Sequence, residues 1–387
     1  MIKFPPGSLD PEYIDTYIRP LFSRTLVRTQ EAYFANHSLG RPLDRVHEDL
    51  AEFSRIWVED MDNAWDAWRA EASAFSANIA SLVGLPNVVH KSNCGQGLRA
   101  VLNSLGDCPH VVASTGEFDS IDFILRVYEQ MGRAKITWVP PARSESGIPI
   151  YDAEAYADAL QPGVDLVVAS AVIFKSGQVF RGLEDLREKA HAVGARMMVD
   201  AYHAVGVLPQ DLNNFDYAVG GCYKYLRGGP GACWLAIHDR HIEDRTSDTG
   251  WFAKKDTFRY ERPEIPEFAA GVQGWWESTP SIAPLYQARS GLLFTVEVGV
   301  DRLREQSLAT LTRIRRILEP KGGFVPENPE DWGAFALLPT EDTGRVVGIL
   351  KSHGVNVDAR QGMVRFGPDV LTTEEDLDRL QRALGAL

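Results

Sequence analysis

The chain has 387 residues, with 40 lysines and arginines against 53 aspartates and glutamates, for a formal net charge of −13. A composition of 44% apolar and 24% charged residues fits a folded globular chain of two or three structural units and excludes a fibrous or disordered one. The acidic balance argues against nucleic acid or an anionic membrane as the main partner.

Residues 44–83 carry apolar groups at helical spacing, among them Val46, Leu50, Phe53, Trp57, Trp65, Trp68, Phe75 and Ile79. A helical run follows at 98–105. Short apolar runs at 110–113, 136–139, 165–169, 196–199 and 217–219 read as buried strands, and 232–237 adds another. Helical patterns at 119–132, 153–160 and 182–193 lie between them. This alternation predicts an α/β protein: a largely parallel sheet covered by helices. After Pro280 and Pro284 a long helix is expected over 285–318. The remainder reads strand (335–338), helix (343–353), strand (355–358), strand (363–366) and helix, the last opening on a capping-box spacing of Thr372 and Glu375. Three regions are expected: an N-terminal segment (1–45) contributing to the small domain and the active site, a large domain (46–284) and a smaller α+β domain (285–387).

No apolar run approaches the roughly 18–20 residues of a membrane helix, and Met1-Ile2-Lys3-Phe4-Pro5-Pro6 lacks the apolar stretch of a signal peptide, so a cytoplasmic location is expected. Cys94, Cys108, Cys222 and Cys233 form no C-x-x-C pair. His238 and His241 have no third ligand nearby in the sequence, so no metal is expected. Motifs of serine hydrolases, P-loop enzymes and zincins are lacking.

In an open α/β sheet ligands bind beyond the carboxyl ends of the strands. Two chemistry-bearing residues fall there: Asp200, closing the 196–199 run, and Lys224, in Cys222-Tyr223-Lys224-Tyr225 after the 217–219 run, 24 residues on. A lysine amine and a carboxylate at neighbouring strand ends suit pyridoxal phosphate, whose aldehyde takes the amine and whose pyridine nitrogen takes the acid. An ordinary strand-end ion pair has the same spacing, and spacing alone leaves both readings open.

Asp200-Ala201-Tyr202-His203-Ala204-Val205-Gly206, followed by Tyr223-Lys224-Tyr225-Leu226, resembles the kynureninases, of the class V branch of fold-type I pyridoxal phosphate enzymes. The resemblance continues in order along the chain. Its other segments are Tyr33-Phe34-Ala35-Asn36-His37-Ser38-Leu39-Gly40, Ser176-Gly177-Gln178, Gly250-Trp251-Phe252, Gly271-Val272-Gln273-Gly274, Ser278-Thr279-Pro280 and Val364-Arg365-Phe366.

The resemblance implies a fold-type I large domain with a mostly parallel seven-stranded sheet, a smaller α+β domain, pyridoxal 5'-phosphate as cofactor, and a homodimer sharing its active site. It implies Lys224 as the Schiff-base lysine and proton carrier, Asp200 at the pyridine nitrogen, and Phe118, Ser170 and His203 as further cofactor contacts. Asn93, Cys94 and Tyr223 are implied at the phosphate, with Tyr223 also relaying a proton. Trp251 and Thr279 complete the phosphate site, partly across the subunit boundary. Arg365 is implied for the substrate carboxylate, and His37 lies on the substrate side. The implied reaction, from tryptophan catabolism, is hydrolysis of the Cβ–Cγ bond of kynurenine or a related γ-keto amino acid to alanine and an aryl (anthranilate-type) acid.

Departures from the family pattern bear on the substrate. Phe118-Asp119-Ser120-Ile121 stands for the usual Phe-Pro-(Ser/Thr)-Asp, so the acid is lost or displaced to Asp122. His37 replaces an asparagine, and Glu59-Asp60-Met61-Asp62-Asn63-Ala64-Trp65 replaces a basic stretch. A class V aminotransferase or another lyase is the alternative activity, and a catalytically silent cofactor-binding relative is a further one. A cysteine desulfurase is disfavoured, because those enzymes use a mobile cysteine in the C-terminal third and the last cysteine here is Cys233.

Overall fold

The apolar runs of the central region become one sheet in a computed structural model that describes residues 4–387 except positions 29, 146 and 325. From edge to edge its seven strands are Asn87–Lys91, Cys233–Ile237, Tyr217–Gly221, Arg196–Asp200, Leu166–Ser170, His110–Ser114 and Lys135–Val139. Cys233–Ile237 runs antiparallel to both neighbours, and the other pairings are parallel. Leu166–Ser170 and Tyr217–Gly221 are buried along their whole length, which is why they read as unbroken apolar runs rather than alternating ones.

Asn87–Lys91 is a strand the periodicity does not announce. Its His90 and Lys91 interrupt the apolar pattern, yet Lys91 is buried, donating to Trp275 O at 3.1 Å and to Glu277 Oε1 at 2.6 Å. The expected 44–83 helix is two helices, Val46–Glu59 and Ala64–Val83. Pattern 153–160 closes only into a 3-10 helix, Glu154–Ala159. Helices Asp119–Gln130 and Leu183–Ala192 fall where expected.

The 285–318 pattern breaks at Gly299, whose φ of 91° an L side chain rarely adopts, giving helices Ala283–Val298 and Val300–Leu318. The first belongs to the large unit. Leu285, Tyr286, Ala288 and Leu292 lie in the same core as Phe75, Ile79 and Val199, and Arg289 ties Asp49, Glu52 and Glu71 together. Phe294 and Val298, nearer the carboxyl end of this helix, pack instead with Leu303, Val370 and Leu371, so the change of core falls within the helix, beyond the expected residue 285.

The small unit holds an antiparallel sheet, Ala336–Pro339, Met363–Phe366 and Asp358–Arg360, backed by Val300–Leu318, Thr343–Ser352 and Glu374–Gly385. The expected 355–358 strand divides in two, because Val355–Asn356 pairs in parallel with Ala32–Tyr33 from the N-terminal segment. The last helix is capped one residue later than the spacing suggests. Thr373 and Asp376 form the reciprocal capping box.

Candidate active site

Three parallel strands deliver their carboxyl ends side by side. Ser170 and Asp200 are register partners on adjacent strands, and Tyr223-Lys224 follows the next strand. Lys224 is buried. Its Nζ lies 2.6 Å from Nε2 of His203, 5.3 Å from the centre of the Phe118 ring and 4.7 Å from that of Tyr202. Burial pulls the Lys224 ammonium down to about 8, with Asp200 pulling the other way. Burial, then the charges of Lys224 and Arg365, hold His203 well below the usual histidine range, so a neutral imidazole accepts the lysine N–H. Burial raises Asp200, while the Tyr202 amide, donating to Oδ1 at 2.8 Å, and Lys224 favour its charge. Tyr223 is pushed up to about 12, chiefly by burial, and its ring sits 5.0 Å from that of Tyr202.

A cleft opens among these groups, lined by Phe118, Ser170, Phe174, Asp200, Tyr202, His203, Tyr223 and Lys224. Phe118 packs edge-on against Phe174 at 5.0 Å, and His203 stacks over Phe174 at 5.9 Å.

The opposite wall comes from the chain's two extremes. Gly40 donates its amide to Tyr223 O at 2.7 Å, and a Cβ on Gly40 would fall 1.9 Å from Lys224 O, so only glycine lets the N-terminal segment lie against the lysine backbone. Just before it, His37 is buried against Phe335, with Nε2 3.6 Å from Asp358 Oδ2. That oxygen also takes the Ser38 hydroxyl at 2.6 Å and Arg365 Nη2 at 2.7 Å. The Arg365 guanidinium lies over Phe174 at 4.8 Å and Phe335 at 5.6 Å. Burial lowers His37 to about 4, overriding its contact with Asp358, so its imidazole is neutral.

Other residues singled out in the sequence stand apart from this cleft. Asn93 caps the helix Cys94–Leu102 by accepting the Gln96 amide on Oδ1 at 3.0 Å, so only its amide nitrogen is left for an anion. Cys94 opens that helix, and Cys233 Sγ lies 3.6 Å from Tyr202 Oη. Trp251 Nε1 donates to Thr279 Oγ1 at 3.0 Å on an exposed surface, and neither residue lines the cleft of its own chain. Asp122 is paired with Arg126 at 2.8 Å on the exposed side of its helix and does not supply an acid to the cleft.

Sequence reading missed Glu117, Asp358, Phe174 and Phe335. Glu117 is buried and accepts hydroxyl protons from Ser114 and Ser170. The only signal for it was a charged residue directly before the aromatic at 118.

Arg365 Nε and both ring nitrogens of His37 are buried without a hydrogen-bond partner among the described residues. Such groups are costly unless a ligand satisfies them. A lysine that loses its proton near neutrality, a buried carboxyl beside it and an aromatic ring over it are groups that suit a flat, polar, carbonyl-bearing cofactor together with an anionic substrate.

A doubly covered, mostly parallel sheet with a lysine and an acid at neighbouring strand ends, closed by a small α+β unit, is the architecture of fold-type I pyridoxal phosphate enzymes. Solved structures agree on the fold. A mutant of C-DES with glycine covalently linked to its PLP cofactor has a TM-score of 0.83 at 18% identity, covering 95% of this chain and 98% of its own. The apo cysteine desulfurase of Thermococcus onnurineus NA1 has a TM-score of 0.80 at 16% identity, covering 94% and 95%. The aminotransferase class-V family model matches residues 60–326, and the chain belongs to that family. Within it, the chain is 29% identical to the kynureninase of Geobacillus thermodenitrificans over 88% of this chain and 84% of that protein. It is 29% identical to the kynureninase of Stenotrophomonas maltophilia, over 92% and 91%.

Proposed function

We propose that the protein is a kynureninase-like hydrolase dependent on pyridoxal 5'-phosphate, cleaving the Cβ–Cγ bond of kynurenine or a related γ-keto amino acid to alanine and an anthranilate-type acid. The observation that carries the cofactor is Lys224, buried beside Asp200 and Phe118 and brought down to about 8. The choice of reaction rests on the kynureninases that match nearly the whole chain.

Lys224 would hold the cofactor's aldehyde carbon, Asp200 its pyridine nitrogen, and Phe118, Ser170 and His203 its ring. Asn93, Cys94 and Tyr223 would hold the phosphate, with Trp251 and Thr279 supplied by the partner subunit of a homodimer. When bound, the cofactor acts as an electron sink for charge developing at the substrate Cα.

The rest is the work of the chain's own residues. Arg365 exchanges the Asp358 carboxylate for that of the substrate, a bidentate grip that fixes the amino acid in the cleft. Lys224 Nζ, once free, takes the Cα proton and returns it on the cofactor side, a role that suits an amine poised near working pH. Tyr223 Oη relays a proton from the water that adds at Cγ to the Cβ carbon released when the Cβ–Cγ bond breaks. His37, neutral and beside Arg365, offers the substrate's polar groups a hydrogen-bond partner.

The deciding experiment is a substrate screen on the holoenzyme, with borohydride reduction and peptide mapping in parallel. Kynurenine or 3-hydroxykynurenine should give alanine and the matching anthranilate in equal amounts, and the label should sit on Lys224. Neither product from either substrate would overturn the reaction. Stoichiometric conversion of a keto acid to an amino acid would select an aminotransferase instead.

A further inference from the structure

Ser170, on the cleft wall, is coupled to a buried acid behind it. Its Oγ lies 2.5 Å from Glu117 Oε2, and the Ser114 hydroxyl lies 2.7 Å from Oε1. Ser114 donates in that second contact, while its own oxygen accepts the Gly116 amide at 3.1 Å. With Ser114 donating to Oε1, a proton on the carboxyl sits on Oε2, facing Ser170.

We propose that Glu117 is a positioning residue that sets the hydrogen-bond polarity of Ser170 toward the cleft. With Glu117 ionised, Ser170 donates to Oε2 and turns a lone pair to the cleft. With Glu117 protonated, Oε2–H donates to Ser170, whose own proton then points into the cleft, ready for an acceptor oxygen on a bound ring. The ring rests on the cofactor reading above; the reversal of Ser170 rests on the three hydrogen bonds and on Glu117 exchanging its proton.

Burial brings Glu117 up to about 7 against the pull of the Ser170 and Ser114 hydroxyls, so both states are populated near neutrality. The groups facing it do not mask this exchange. Asp200, on the strand beside Ser170, raises it further. Tyr156, beside Ser114, and Tyr151, bonded to Thr115 at 2.8 Å, are both pushed up by burial and stay neutral in this range. Lys175 donates to the Thr115 carbonyl at 2.8 Å.

Two measurements test the proposal. In cofactor-free protein, the infrared C=O band of a protonated carboxyl should titrate with a midpoint at about 7 and be missing from Glu117→Gln. Ser170→Ala and Ser114→Ala should each raise that midpoint, by about one pH unit, since the carboxylate loses a donor. These two variants serve alone if Glu117→Gln does not fold. In the holoenzyme, the absorbance of the lysine-bound cofactor should shift over the same pH range in the wild type, and the step should vanish in both Glu117→Gln and Ser170→Ala. A titrating band that Glu117→Gln retains, or that neither serine variant moves, overturns the proposal. So does a spectral step lost in Glu117→Gln but kept in Ser170→Ala. If borohydride leaves Lys224 unlabelled, the cofactor reading fails while the infrared titration still decides the role of Glu117.

Discussion

The two ends of the central sheet bury charge in opposite ways. At the amino end, Asp216 is surrounded by donors: the Met197 amide at 2.7 Å, and His191 Nε2, His241 Nε2 and Arg240 Nε, each at 2.8 Å. Burial works against its charge, and the hydrogen bonds from His241, His191 and Met197 overcome it, holding the carboxyl well below the usual range. At the carboxyl end, burial wins. Lys224 is brought down, Glu117 is pushed up, and Arg365 Nε and both ring nitrogens of His37 lack hydrogen-bond partners among the described residues. One sheet thus carries a charge satisfied on every side, which fastens strands and loop together, and a set of under-satisfied groups that a ligand would complete. The contrast separates scaffold from site without reference to any relative.

Lys224→Ala should break the contrast most sharply, lowering turnover by about a thousandfold or more while leaving the fold intact by circular dichroism. Next comes Asp216→Asn, which strips one charge from a buried network and should cost about 3–5 kcal/mol in urea unfolding. Because Asp216 lies below its ordinary 3.8, its contribution is complete above that pH and is lost as the pH falls through the folded-state value. The variant should lack that acid-side loss.

Lys224→Met should do the reverse to the cofactor-free protein. The lysine's folded value of about 8 lies below its ordinary 10.5, so the unfolded chain binds the extra proton and wild-type stability rises between those two values. Near pH 7 the variant should be more stable by roughly 2–4 kcal/mol, with that slope gone. A destabilised Lys224→Met would remove the basis for calling the site under-satisfied. The smallest effect is expected from His191→Gln, which takes one of several donors from Asp216 and should cost about 1 kcal/mol by the same measurement.

How much of this is legible in the sequence follows from how local each signal is. Asp200 and Lys224 announce themselves because each closes an apolar run, and strand ends are where an α/β sheet keeps its ligands. Glu117 does not, since its meaning depends on Ser170, 53 residues later. Asp358 is hidden for the same reason: its partners Ser38 and Arg365 meet only when the small unit closes on the N-terminal segment. The helix break at Gly299 was misread because periodicity continues across it, and only the backbone conformation of one glycine separates the two helices. Asn87–Lys91 was missed because an ion pair, rather than an apolar side chain, makes Lys91 compatible with burial.

The strand Ala32–Tyr33 has a consequence for biosynthesis. Ser38, just beyond it, bonds Asp358, 320 residues later. At a ribosomal pace of about 5–20 residues per second, the segment that lines the lysine leaves the ribosome roughly 16–64 s before the residues that anchor it exist. Until then the nascent large unit carries an open groove with one flank missing. The synthesis of Asp358 and Arg365, rather than the folding of the sheet, sets when the groove is sealed.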